Sequence, residues 1–206
     1  MLGRREGDRF DAGIINGPAG KGLLVAIGDE ALSIRLEAGR LPEPADPIHL
    51  VVAVPRPQTA RKILNEATSL GVASMRFFRS EKREASYSSS TLWTSREWRR
   101  HLVEGAAQAF DTRLPEVTMH GALREALAAL PAGCAGIALD NYEAPARLAA
   151  GRSERPIALA FGAERGWSAA ERTLLKENGF GLAHLGPRVL RMETAVVTAL
   201  SLVKSG

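Results

Sequence analysis

Residues 48–71 read IHLVVAVPRPQTARKILNEATSLG, and this stretch decides the fold class. Ile48 to Val54 is an unbroken apolar run rich in β-branched residues, the pattern of a strand buried on both faces. Gln58 to Leu70 then puts Ile63, Leu64, Ala67 and Leu70 on one helical stripe, which Gly71 closes. Together they make one β-α unit. Val72 to Phe78 is the next strand, followed by a polar stretch from Ser80 to Ser90. Within it, Tyr87-Ser88-Ser89-Ser90-Thr91 is the one low-complexity patch and reads as a mobile loop. Thr94-Ser95-Arg96-Glu97 has the spacing of a capping box that opens a helix to about Phe110. Further strands are expected at Glu116 to Met119, Gly136 to Asp140, Pro156 to Phe161 and Leu182 to Leu185. Helices are expected at Ala122 to Leu130, Ser168 to Asn178 and Glu193 to Lys204. Alternation at this spacing predicts an α/β fold: a mostly parallel sheet with helices on both faces.

The first 46 residues differ. Short β-like runs (Arg9 to Ile15, Leu23 to Ile27, Leu32 to Leu36) are separated by Gly7-Asp8, Asn16-Gly17-Pro18, Gly20 to Gly22 and Gly28-Asp29, which are hairpin turn chemistries. A small antiparallel unit follows. The stretch Leu41-Pro42-Glu43-Pro44-Ala45-Asp46-Pro47 has the proline spacing of a stiff linker, so the expected domains are 1–46 and 47–206.

Composition excludes several classes. At 206 residues with 45% hydrophobic and 24% charged side chains, the chain matches a globular protein and not a disordered or collagen-like one. No apolar run approaches the roughly 20 residues that a membrane helix needs, and the N-terminus lacks a signal core, so the cytoplasm is the expected compartment. The lone Cys134, in AGCAGIAL, reads as core. The histidines His49, His101, His120 and His184 are scattered without metal-ligand spacing, and no GxSxG elbow is present, so neither a metal site nor a hydrolase triad is expected. Net charge is +4, but ten basic residues and four acids lie between Arg56 and His101, a local +6 that leaves −2 for the remainder. An arginine-rich zone suits contact with phosphates and bases, with Arg79, Lys82 and Arg83 as candidates. Charge alone does not separate that from an ordinary solvated face.

Two strand-end turns carry the candidate chemistry. Phe161-Gly162-Ala163-Glu164-Arg165-Gly166-Trp167 follows an apolar strand and precedes a helix whose Ser168 and Glu171 form a capping box. Strand, glycine turn and helix N-terminus is where open α/β sheets bind nucleotides. Leu185-Gly186-Pro187-Arg188-Val189-Leu190-Arg191-Met192-Glu193-Thr194-Ala195 repeats the arrangement, with Glu193 where the helix dipole favours a carboxylate. Two such turns at the C-terminal end of the chain suggest one shared pocket.

The segment LGPRVLRMETAVVTAL resembles the C-terminal motif of the RsmE family, SPOUT-class enzymes that methylate N3 of a uridine in 16S ribosomal RNA; the family reads LG-x-R-I-L-R-x-E-T-A here. AFGAERGWSAAE is similar to the family's GPEGG-x-S-x-x-E turn, KILNEATSLGV to its K-x-x-E-LGV helix end, and the Gly7-Asp8 region to its N-terminal RNA-binding barrel. The resemblance implies a SPOUT-type trefoil-knot domain behind a small, truncated PUA-like β-barrel domain, a homodimer, and S-adenosyl-L-methionine as cofactor. It implies cofactor contacts at Leu139, Gly162, Glu164, Gly166, Leu185, Gly186, Arg188, Leu190 and Thr194, many through backbone groups. Arg191 is the candidate catalytic residue, as a cation near the base oxygens; the other reading is that it pairs with Glu193 to cap the last helix. Three segments depart from the family pattern. GAERG stands for GPEGG, Ala107-Gln108-Ala109-Phe110-Asp111 stands where EQSGR is common, and Ser69-Leu70-Gly71 replaces ELG. These departures support a second reading, a catalytically impaired relative that binds RNA or ribosomes or acts as an interaction protein.

Overall fold

The computed structural model describes residues 5–82 and 84–205. The run that decides the fold class is strand β4 (Asp46–Ala53), and its side chains alternate between two cores. Leu50 and Val52 face one apolar cluster, and Val51 and Ala53 face the other. Burial on both faces explains the absence of polar alternation. The strand begins two residues before Ile48; Pro47 has no N–H to give the ladder, and the register against the next strand shifts between Asp46 and His49.

Downstream come α1 (Pro57–Ser69), β5 (Val72–Phe78), α2 (Thr91–Thr94), α3 (Trp98–Gln108), β6 (Glu116–His120), α4 (Leu123–Ala128) and β7 (Ala135–Leu139). They are followed by β8 (Ala146–Arg147), β9 (Ile157–Phe161), α5 (Ala169–Glu177), β10 (Gly181–His184) and α6 (Met192–Lys204). The seven strands from β4 to β10 form one sheet in the order β6-β5-β4-β9-β7-β10-β8, and every pairing in it is parallel. Residues of α1, α3 and α6 (Ile63, Leu64, Leu102, Leu200) pack with Leu50, Phe77 and Leu159 in one core. Leu123, Ala126 and Leu175 pack with Phe78, Ala160 and Trp167 in the other. Among the described residues no helix is long and apolar enough to cross a membrane.

Residues ahead of this sheet form β1 (Arg9–Gly13), β2 (Ala19–Ile27) and β3 (Leu32–Ala38), an antiparallel three-stranded sheet. It meets the larger unit through the segment after α3. Thr112 O accepts from Asn16 N at 2.8 Å, Thr112 Oγ1 donates to Gly17 O at 2.6 Å, and Leu114 N donates to Asn16 Oδ1 at 2.9 Å. Met1 to Arg4 of the expected 1–46 unit lie outside the described residues.

Three local expectations are corrected. Glu97 does not close a capping box with Thr94: α3 starts at Trp98 without a side-chain cap. Arg96 at φ 61° turns the chain just before it, and Glu97 instead binds Arg61 Nε at 2.9 Å. The serine patch is not a loose loop. It forms a 3₁₀ turn at Ala85–Ser89 leading into α2, where Leu92 is fully buried and Trp93 packs on Phe77 with ring centroids 4.7 Å apart. Two apolar side chains at a helical turn pin a serine-rich segment that composition alone marks as mobile. Cys134 is only partly buried, packed against the second core, and burial pushes its thiol up.

Phe110 explains one departure from the family pattern. It occupies the position after the α3 C-cap, with φ 54°; its N–H bonds Ala107 O, and the N–H of Asp111 bonds Ala106 O. This is a Schellman closure, in which glycine is the usual left-handed residue. Phe110 is also 72% exposed, so its ring contributes little packing. Phe110→Gly is therefore expected to stabilise the protein. Relief of about 1–2 kcal/mol of left-handed strain outweighs the roughly 0.5–1 kcal/mol of extra chain entropy that glycine loses. Thermal unfolding should move up by roughly 1–3 °C; a lower midpoint would show that the ring makes a stabilising contact.

Candidate cofactor and substrate cleft

Parallel strands deliver their C-terminal ends to one edge of the sheet, and the turns after β4, β7, β9 and β10 enclose a cleft of about 670 Å³ there. That volume lies in the range of small-molecule and cofactor sites. Of the residues expected from the sequence, Leu139, Gly162, Glu164, Gly166, Leu185, Leu190 and Arg191 line it together. Gly186, Arg188 and Thr194 do not. Gly186 turns the chain at φ 128°, its N–H bonded to His184 Nδ1 at 3.1 Å, while Arg188 and Thr194 point to solvent. Sequence reasoning missed Arg56, Lys62, Asp140, Tyr142 and Trp167, which also line or wall the cleft. The signal was available for Arg56, since it follows a strand and precedes a helix as the two singled-out turns do.

The β9 turn is held by Trp167. Its indole is 1% exposed, lies parallel to the ring of Phe78 at 6.0 Å, and donates from Nε1 to Leu139 O at 2.9 Å. A Cβ on Gly162 would fall 2.9 Å from that indole, so only glycine fits beneath it. Gly166, at φ 72°, reverses the chain through a bond from its N–H to Ala163 O at 2.7 Å. Arg165, which stands where the family has glycine, is exposed and is not among the residues lining the cleft. Beyond the turn the expected capping box is present: Ser168 Oγ accepts from Glu171 N at 3.0 Å and Glu171 Oε2 from Ser168 N at 2.9 Å. The other oxygen of the buried Glu171 accepts from Glu81 N at 3.1 Å, which ties the turn after β5 to the same helix.

Much of the basic zone is engaged within the fold. Arg56 pairs with Glu164 at 2.8 Å, Arg61 with Glu97, Lys62 with Glu193 at 3.1 Å and Arg100 with Glu104 at 3.1 Å. Arg76 is 6% exposed and donates to Ala129 O and Ser74 Oγ inside the fold. Lys82 is exposed but its Nζ donates to Trp167 O at 2.8 Å, so it braces the β9 turn. Arg79 is exposed beside it, and Arg83 lies outside the described residues.

Glu193 sits in the first turn of α6. Burial pushes its carboxyl up, but the helix amide, Lys62 and Arg191 together outweigh this and hold it below the usual range. Its hydrogen-bonded partner is Lys62, and no side-chain cap links it to Arg191 at the N-cap position. Arg191 acts on Glu193 by charge alone and also lines the cleft. Across from it, Asp140 is buried; Arg172 Nε donates to its Oδ2 at 2.5 Å and Tyr142 N to its Oδ1 at 2.8 Å. Burial raises this carboxyl, and the bonds from Arg172 and the 142–143 backbone reverse the shift, so it is ionised.

A donor set of this kind fits a nucleoside-bearing cofactor. Among the described residues, no main-chain hydrogen bond ties residues 187–190 to the rest of the chain, so their C=O groups and the N–H groups of 188–190 are open to water or to a ligand. No group of histidine, cysteine and carboxylate side chains suited to a metal occurs among them.

The family model for the RNA methyltransferase domain matches residues 42–204. Ribosomal RNA small subunit methyltransferase E of Treponema pallidum is 32% identical over 202 residues, spanning 94% of this chain and 76% of that protein. Ribosomal RNA small subunit methyltransferase E 1 of Borreliella burgdorferi is 27% identical, spanning 74% of this chain and 64% of its own. The crystal structure of a ribosomal RNA small subunit methyltransferase E from Neisseria gonorrhoeae, bound to S-adenosyl methionine, superposes with a TM-score of 0.79. Its identity is 22%, covering 95% of this chain and 82% of that one.

The Asp140–Arg172 pair predicts a mutational outcome. Asp140→Asn removes the charge that a guanidinium only 12% exposed relies on, and should cost about 3 kcal/mol. Calorimetric unfolding should drop by roughly 6–12 °C. An unchanged midpoint would mean that the pair does not hold the 140–143 segment.

Proposed function

The chain belongs to the RsmE family of RNA methyltransferases, and on that premise we propose that it methylates N3 of a uridine in small-subunit (16S) rRNA. Its cofactor in this reading is S-adenosyl-L-methionine, held by the turns at 162–166 and 185–190 with Leu139. The observation that carries the reading is the convergence of those turns with Arg191 on one cleft. The same reading includes a trefoil-knotted C-terminal domain behind a small RNA-binding domain, a homodimer with two-fold contacts, and action in the cytoplasm.

When bound, the cofactor supplies an electrophilic methyl group on a sulfonium. The protein's task is to prepare the nucleophile. Uridine N3 carries a proton, and its attack requires loss of that proton to give an imide anion whose charge spreads onto O2 and O4. Arg191, unable to act as a base, stabilises that charge by donating to the base oxygens. The carboxylates lining the cleft are already engaged: Asp140 by Arg172, Glu164 by Arg56, Glu193 by Lys62. The proton therefore leaves to solvent, and the site accelerates the reaction by favouring the anion and by positioning N3.

Of the altered segments that motivate the other reading, a catalytically impaired relative, Arg165 is exposed and is not among the residues lining the cleft, and Phe110 closes α3.

Transfer of a labelled methyl group to 30S subunits tests the proposal. Arg191→Ala should lower kcat by about 10²- to 10³-fold with cofactor affinity unchanged, and the wild-type rate should climb with pH, as an uncatalysed loss of the N3 proton requires. Full activity in the variant would remove Arg191 from the mechanism. Absence of transfer by wild-type protein would remove the activity itself.

A further inference from the structure

We infer that the ring of Tyr142 is the stacking surface for the base to be methylated, an assignment that rests on the methyltransferase reading above. Tyr142 lines the cleft yet is 74% exposed, slightly more than Phe110, which is not among the residues lining the cleft. An aromatic ring left to water at a cleft rim is an unspent binding surface. This one is also held in place. Its N–H is fixed to the buried Asp140 carboxylate at 2.8 Å, and the Arg172 guanidinium that binds Asp140 stands 6.0 Å from the ring centroid. Arg172 bonds Glu143 at 3.3 Å and Lys176 reaches Glu143 at 3.4 Å, so the loop is clamped on both sides of the tyrosine. The ring lies over Gly166, where a Cβ would come within 3.2 Å of its Cε2. The β9 turn thus supports the ring, and a side chain at 166 would displace it.

The chemistry calls for such a surface. N3 lies on the Watson–Crick edge, so a base can be methylated there only when unpaired and turned out of its stack. That costs a few kcal/mol, which a protein offsets by offering a new aromatic face. Tyr142 supplies the face, and Arg191 in the same cleft supplies the donor for the edge. The cofactor's adenine is the other nucleobase that could stack here. A ring three-quarters exposed at the rim is open to a macromolecule approaching from solvent, and we assign it to the RNA.

The test compares wild type, Tyr142→Phe and Tyr142→Ala. Binding of a fluorescent uridine-containing rRNA hairpin is followed by anisotropy with S-adenosylhomocysteine present, and S-adenosylhomocysteine is titrated calorimetrically into each protein. Tyr142→Ala should weaken RNA binding by about 5- to 150-fold, Tyr142→Phe should stay within twofold, and S-adenosylhomocysteine should bind all three alike. RNA binding by Tyr142→Ala at wild-type strength, while wild type binds both ligands, would overturn the stacking assignment and leave the methyltransferase reading intact. A matching loss of S-adenosylhomocysteine affinity would transfer the ring to adenine and also overturn it. Wild-type protein that binds neither ligand would take down both.

Discussion

The hydrogen bond from the Trp167 indole to the Leu139 carbonyl is the contact on which the cleft depends. It joins the ends of β7 and β9, two adjacent strands that reach the same edge of the sheet by separate routes. Stacked on Phe78 and seated against Gly162, the indole fixes the height of the β9 turn above the sheet. Glu171 and Lys82 then attach the segment after β5 to that turn. Remove the indole, and the turn loses both its floor and its link to the loop that carries Asp140 and Tyr142. Of the four turns around the cleft, those after β7 and β9 are joined through this one buried side chain.

Much of the fold was legible in the sequence, for physical reasons that can be named. Strands buried on both faces leave long apolar runs, so β4, β5 and β9 were located to within two residues. The Ser168 and Glu171 capping box was readable because it is a purely local interaction. The same reasoning failed at Thr94 to Glu97, where the same kind of spacing occurs but Glu97 is claimed by Arg61, a residue 36 positions away. It failed also at Tyr87 to Thr91, where burial of Leu92 and Trp93 overrides a serine-rich composition. The two-residue strand β8 left no apolar run at all.

The candidate site was half legible. Its turns announce themselves through glycine and proline, whereas its charge arrangement does not. Ten basic residues in one stretch left phosphate contact and an ordinary solvated face undecided, and in the fold Arg56, Lys62 and Arg61 are paired with carboxylates brought from 108, 131 and 36 residues away. The result is a cleft whose carboxylates are hydrogen-bonded to other cations, with Arg191 near Glu193 but not bonded to it, a distribution suited to receiving a developing negative charge. Sequence distance hides such pairings, because they exist only once the parallel sheet has aligned the ends of its strands. The Asp140, Tyr142 and Arg172 cluster was invisible for the same cause: a carboxylate after one strand meets a guanidinium from a later helix.

The central claim is that the segments 139–142, 162–167 and 185–193 form one ligand site. Amide hydrogen exchange, followed by mass spectrometry with and without S-adenosylhomocysteine, tests it most directly. The structure predicts that all three segments slow together on addition of the ligand, at one shared ligand concentration, while the three-stranded sheet of residues 9–38 is unaffected. Protection confined to one segment, or protection elsewhere on the chain, would contradict the claim.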